Sequence, residues 1–175
     1  DGDVTEIGYM AFYECATLAS ITIPETILEI GNHAFTRCSA LISINLPNSI
    51  KRQIECNSAI ALEGLNGDWG ANIGSVLLKA YGNDVKTRAK AMAAAGSDAR
   101  MSGCELPVII NAGSGNQGMT VVLPILEYAK ELKVSDEELY RALVVSNLIT
   151  IHLKTGIGRL SAYCGVVSAG AGAAS

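Results

Sequence analysis

A chain of 175 residues with 49% apolar and 17% charged residues is long enough for one domain or two small ones, and it carries ample material for a core, which excludes intrinsic disorder. Of its 17 acidic residues six lie in 1–50, and of its 13 basic residues only Arg37 does, which leaves eleven and twelve in 51–175. Neither stretch is basic enough to point to nucleic acid. The uncharged run 160–175 is too short and too rich in Ala, Gly and Ser for a membrane span. With Asp1 at the start, no signal peptide is visible. Five irregularly spaced cysteines do not suggest a disulfide framework, and a reducing compartment is the simpler reading for 51–175.

In chain order, the first feature is an internal repeat with an offset of 23 residues. Glu6-Ile7-Gly8 recurs as Glu29-Ile30-Gly31, Ala11-Phe12 as Ala34-Phe35, Cys15 as Cys38, Ser20-Ile21 as Ser43-Ile44, and Pro24 as Pro47. Ser20 to Ile23 and Ser43 to Leu46 alternate with period two, so each reads as a short strand with one buried face, stopped by the proline. The segment between them reads as a return that turns Phe, Cys and Leu inward. Cys15 and Cys38 are read as small buried hydrophobes rather than metal ligands, and His33 as a surface residue. Residues 3–50 resemble the BspA-like leucine-rich repeats of bacterial surface proteins, which implies a short β-solenoid with an adhesive or structural role and a place at the cell surface.

The texture changes at Lys51. Helices are predicted over Gln53–Glu63, closed by Gly64; over Asn72–Tyr81, closed by Gly82; and over Val85–Ala95, capped by Asp84 and closed by Gly96. A fourth runs over Gln117–Leu132 with Pro124 as a kink, a fifth from the Ser135/Glu138 capping box to about Leu153, and a sixth starts at Arg159. The fold class expected is mixed: a β-solenoid fragment over 1–50, then a mainly α-helical fragment over 51–175.

Gly113-Ser114-Gly115-Asn116-Gln117-Gly118 fits the spacing of a dinucleotide-binding loop and follows the apolar run Val108-Ile109-Ile110. That reading needs a second strand ending in an acid near residue 138, where a helix start stands instead, so it is set aside. The loop has a mechanism of its own. Its glycines let N–H groups converge, the following helix N-terminus favours an anion, and Ser114, Gly115, Asn116 and Gln117 become candidate substrate-binding residues for a carboxylate. A plain turn between helices is the equal alternative.

Several strings occur in one order: Gln53-Ile54-Glu55, Glu63-Gly64-Leu65, Ser97-Asp98-Ala99-Arg100-Met101, Leu106-Pro107, the glycine loop, and Arg159-Leu160-Ser161-Ala162-Tyr163-Cys164. On these, 52–175 resembles the L-cysteine desulfidase family, which is related to the alpha chain of iron–sulfur L-serine dehydratases. The resemblance implies a cytoplasmic lyase with a [4Fe–4S] cluster held by three cysteines, one iron being open as a Lewis acid. Its substrate would be a small amino acid, L-cysteine or L-serine, converted by β-elimination to pyruvate and ammonia with release of sulfide or water; a homo-oligomer is left open. Cys164 matches the first cluster ligand. The other two belong to a C-D-G-A-x-x-x-C motif that would follow Ser175, and the family's catalytic cysteine, in a G-C-T-E-P motif, would precede residue 52. The chain alone is therefore expected to hold no cluster and to lack lyase activity. Cys56 and Cys104 match no ligand position.

Among the remaining polar residues, His152 is the one candidate for a catalytic or substrate-binding role, beside a hydrogen-bonded structural one. Arg159 is a candidate carboxylate partner through its bidentate fork, beside a helix-cap role. Asp98 and Arg100 flank a loop and are expected to pair with each other in a structural salt bridge, with substrate contact as the alternative. Two alternatives to the lyase fragment stand: a leucine-rich-repeat surface or binding protein, and an artefactual join of two genes.

Overall fold

The structure, a computed structural model, describes residues 4–24, 26–27, 29–45, 49–157 and 164–175. The chain divides into two compact units, Asp1–Ser49 and Ile50–Ser175.

In the first unit the 23-residue offset appears as strand register. β1 (Glu6–Ile7) pairs in parallel with β3 (Glu29–Ile30), and β2 (Ser20–Thr22) with β4 (Ser43–Asn45), so that Glu6 faces Glu29 and Ser20 faces Ser43. Met10 and His33, and likewise Glu14 and Arg37, take matching left-handed φ values in the two copies. His33 is exposed, and the Phe12 and Phe35 rings stack with centroids 5.1 Å apart. These pairs nevertheless remain two-stranded pieces of two and three residues and do not build a β-solenoid. The mixed fold expected from sequence is corrected to a mainly α-helical one. The physical reason is that two copies give each strand one neighbour, and a coil of this kind buries its apolar edge only against the next. The buried set is small, Ile7, Ile23 and Ala34, while Ile42 stays 88% exposed.

The second unit carries the helices: α1 (Ser49–Asn66), α2 (Ile73–Tyr81), α3 (Val85–Met101), α4 (Gly115–Leu132), α5 (Asp136–Ile157) and α6 (Val166–Ala173). α3 packs on α2 and α4, α4 on α5 and α6, and α5 on α6. Ile60, Met119, Leu123 and Leu143 are the largest apolar side chains fully buried there. Among the described residues no helix is long and apolar enough to cross a membrane.

The helix starts follow from their caps. Asp84 accepts from the N–H of Lys86 at 2.9 Å and of Thr87 at 3.3 Å, and from the Thr87 hydroxyl at 2.6 Å. At α5 the Ser135 N–H and hydroxyl donate to one Glu138 oxygen at 2.9 and 2.8 Å, while the Glu138 N–H donates to the Ser135 hydroxyl. Two helices run further than their glycines suggested. Gly64 and Gly96, read as stops, lie inside α1 and α3 because neighbouring chain passes close to them. A Cβ on Gly64 would stand 2.0 Å from the Ala95 carbonyl oxygen, and one on Gly96 would stand 2.5 Å from Met119 Sδ. α4 continues through Pro124. A proline inside a helix loosens the carbonyls of the preceding turn, and the buried Ser146 hydroxyl of α5 donates to one of them, that of Val121, at 2.9 Å. Further along α4, buried Glu127 accepts from Arg88 Nε of α3 at 3.2 Å and from Lys130 at 2.7 Å.

The capping box has a pH signature. The Ser135 N–H first, then its hydroxyl, hold the Glu138 carboxyl below its ordinary value of 4.5, with the Arg141 charge adding to them. The contribution of the cap is therefore complete above that value and is lost as pH falls through the lowered one. In an NMR titration the Ser135 amide is expected to shift with a midpoint below 4.5, and Glu138→Gln removes the transition. A midpoint at or above the ordinary value contradicts the cap.

Candidate functional site

The glycine loop is built between α3 and α4. The run 108–110 is not a strand. It is fixed by buried Asn57 of α1, which accepts from the Ile109 N–H at 2.9 Å and donates to the Ile109 carbonyl at 3.1 Å. Among the described residues no strand leads into the loop and none follows α4, so the dinucleotide reading has no βαβ frame. Asn111 and Ser114 exchange backbone hydrogen bonds at 3.1 and 3.0 Å around Ala112 (φ 48) and Gly113 (φ 84). Two consecutive left-handed residues mark a turn of the I′ kind, which an alanine adopts only at a cost. Ser114 then takes extended backbone as the N-cap of α4, its hydroxyl accepting from the Gln117 N–H at 3.5 Å. Gly115 and Asn116 begin the helix, ahead of its internal hydrogen-bond ladder. Gly118 is required by proximity, since a Cβ there would stand 2.1 Å from the Ile109 carbonyl oxygen.

Arg100, in the last turn of α3, lies across this start. A Cβ on Gly115 would be 2.4 Å from Arg100 Nε and 3.1 Å from Cζ, and Arg100 Nη1 donates to Asn116 Oδ1 at 3.1 Å. The expected Asp98–Arg100 pair is absent among the described residues. Asp98 instead accepts from the Ile73 N–H at 2.7 Å, closing the start of α2. Arg100 is exposed and has no carboxylate partner among the described residues. A guanidinium, a helix N-terminus and two polar side chains thus meet at one point, an arrangement suited to a carboxylate.

On the side of the loop turned to α5 and α6, the groups are carboxamides. Asn147 of α5 accepts at Oδ1 from Asn111 Nδ2 at 2.7 Å and from Gln53 Nε2 at 3.0 Å, and its own Nδ2 donates to Gln53 Oε1 at 3.0 Å and to the Leu143 carbonyl at 2.8 Å. Gln117 is 8% exposed, and its amide end lies against Gly165, where a Cβ would meet Nε2 at 2.1 Å and Oε1 at 2.8 Å. It therefore connects the loop to the residue after Cys164.

Of the loop residues singled out from sequence, Gly115 and Asn116 meet Arg100 at the start of α4, Ser114 caps the helix, and Gln117 turns to Gly165. His152 is not brought to them. α5 turns Leu143, Ser146 and Thr150 inward, and His152 is exposed on another face. Arg159 lies outside the described residues. Cys164 is exposed, all five cysteines are free, and the described residues contain no group of three or more His, Cys, Asp or Glu able to hold a metal. Cys164 is one thiol of the three that the cluster implied by the resemblance would require. Sequence reading weighed Arg100 first as the partner of Asp98 and second as a substrate contact without placing it on the glycine loop, and it missed Asn57, Asn111 and Asn147. Their only signal was amide side chains in otherwise apolar stretches.

The serine dehydratase alpha chain family matches residues 21–175. A UPF0597 protein of Desulfitobacterium hafniense (strain Y51) is 76% identical over 123 residues, which cover 70% of this chain and 29% of that protein. A UPF0597 protein of Lachnoclostridium phytofermentans is 68% identical over 124 residues, covering 71% and 30%, and one of Fusobacterium nucleatum is 57% identical over 129 residues, covering 71% and 30%. The chain thus spans about three tenths of the length of these curated relatives. No solved structure matches it. Nothing in these comparisons supports BspA-like leucine-rich repeats, and the family match begins inside the first repeat copy and runs across the boundary between the units. Over most of its length, then, the chain belongs to the serine dehydratase alpha chain family.

Proposed function

We propose that the chain is the substrate-anchoring portion of a lyase that β-eliminates L-serine or L-cysteine, with the glycine loop taking the substrate carboxylate. The observation that carries this reading is the Arg100 guanidinium lying on Gly115 at the start of α4. There a fixed cation, the first helical amides and the Ser114 and Asn116 side chains converge, and each favours an anion. Anchoring the carboxylate orients the adjacent Cα–H bond. In the reaction a base removes that α-proton, the bond from the β-carbon to oxygen or sulfur breaks, and the leaving group departs with the electron pair as hydroxide or hydrosulfide, taking up one proton to become water or hydrogen sulfide. The enamine left behind becomes an imine, whose hydrolysis yields pyruvate and ammonia. The base is not assigned, since His152 lies away from the loop. We further propose Cys164 as one ligand of an iron–sulfur cluster whose other ligands come from outside the described residues. Free cysteines and a cluster of this kind suit a reducing cytoplasmic setting.

An amide-resolved NMR titration of the 175-residue chain tests the carboxylate site. L-Serine and L-cysteine are expected to move the Gly115 and Asn116 signals, while serinol and cysteamine, which lack the carboxylate, leave them in place. If L-serine leaves them unmoved as well, the reading is overturned. The chain alone is expected to form no pyruvate from either amino acid after anaerobic reconstitution with iron and sulfide.

A further inference from the structure

The inward side of α5 is already engaged. Leu143 is buried, Ser146 donates to the Val121 carbonyl of α4, and Thr150 donates to the Ser168 carbonyl of α6. Its outward side is apolar as well. Tyr140, Val144, Leu148 and Ile151 are all exposed, Leu148 to 60%. At about 100° per residue these four fall within roughly 80° of arc, as one stripe along three turns. Their steps of four, four and three residues are those of a helix seam. Glu137, Arg141, His152 and Thr155, all exposed, form its polar rim. A helix that is apolar on its outward side too is normally buried all round, and an exposed apolar patch with a polar rim marks an interaction surface.

The charges of α5 say what fits this surface. Asp136, Glu137 and Glu138 stand in its first turn, Lys154 stands in its last, and no acidic residue follows Glu138 within the helix. Two copies laid parallel would bring three carboxylates against three. Laid antiparallel, each acidic end comes beside the basic end of the other copy, and the two helix dipoles oppose. With the two-fold axis level with Ser146, Val144 of one copy lies across from Leu148 of the other, and Tyr140 across from His152.

We propose that the outward face of α5 pairs with the same face of a second copy of this chain, the two helices running antiparallel. Such a contact is isologous and closes on itself, so association stops at the dimer. Stable interfaces bury about 1,200–2,000 Å² in total, and a stripe of three turns offers less, so the Kd is expected on the order of tens of micromolar.

Sedimentation velocity of the full chain over a concentration series is the test. A monomer–dimer equilibrium in that range is expected. Leu148→Glu places a carboxylate at the centre of the seam and is expected to weaken the dimer at least about ten-fold. Because Leu148 is exposed, the thermal unfolding curve of the variant is expected to match that of wild type. Glu137→Lys is expected to weaken the dimer several-fold, and adding Lys154→Glu to it is expected to restore the pairing, because the two ends then complement each other in the reverse sense. A chain that stays monomeric at ten times the expected Kd overturns the proposal, and the face is then left to a different partner. A dimer indifferent to Leu148→Glu is held by another surface and also overturns it. A double variant as weak as Glu137→Lys alone overturns the antiparallel order.

Discussion

Replacing Gly64 with alanine is expected to lower the stability of the helical unit by about 3 kcal/mol, the upper end of what overpacking a core costs. The methyl group would stand 2.0 Å from the Ala95 carbonyl oxygen and 2.5 Å from its carbon. Neither atom belongs to a flexible side chain, so α1 and α3 must separate. That separation opens the layer around Ile60 and Ala61, which are fully buried. Thermal unfolding followed by circular dichroism measures the effect, and a loss of roughly 10 °C is expected for a unit of this size. Alanine has the higher helix propensity by about 1 kcal/mol, so a melting temperature that rises would mean that the helices do not cross here. Gly96→Ala is the milder comparison, because the atom in its way is Met119 Sδ, which can shift by a rotamer change.

Removing the guanidinium at position 100 is expected to weaken L-serine binding by ten- to a hundred-fold, while the helical signal of the chain stays the same. Hydrogen bonds to charged groups contribute about 1.5–3 kcal/mol, and each 1.4 kcal/mol corresponds to roughly a factor of ten in Kd. Arg100 is exposed and its recorded partners are Asn116 Oδ1 and Met101 Sδ, so Arg100→Ala deletes little packing. Gly115→Ala reaches the same outcome by another route. Its Cβ would displace Nε and Cδ of Arg100, at 2.4 and 2.8 Å, and lift the fork from the helix start. Arg100→Lys keeps the charge and loses the planar fork, so its affinity is expected to fall between wild type and Arg100→Ala. Isothermal titration supplies the values. An Arg100→Ala chain that binds L-serine as wild type does would place the carboxylate elsewhere.

Local signals in the sequence were the ones that carried through. The Ser135/Glu138 box and the Asp84 cap are short-range patterns, and α5 and α3 begin where they indicate. The 23-residue repeat is likewise seen, as parallel register between Glu6 and Glu29. What the repeat did not predict is its extent as structure, because period-two alternation gives a strand and says nothing of how many neighbours that strand will have. Glycine misled in a systematic way. At Gly64 and Gly96 the absence of a side chain serves contact between helices, and a stop signal looks the same from one sequence. The site was half legible. Ser114 to Gln117 stand out as a glycine-rich loop before a helix. Arg100 does not, because its spacing to Asp98 suggested a local pair, and only the packing of α3 against α4 reveals its partner. The Asn111–Asn147–Gln53 contacts span up to 94 positions of chain, beyond any local pattern.

Two neighbouring residues of α5 serve two different clients. Ser146 donates to the Val121 carbonyl beside Pro124, and Asn147 holds Asn111 at the start of the loop. Adjacent helical positions point about 100° apart, so both bonds form at only one rotation of α5 about its axis. A slip by a single residue would withdraw the donor from the proline turn and the acceptor from the loop together. α5 thus behaves as a key cut for two locks, and changes that reseat it along α4 are communicated to the loop whether or not they lie near it.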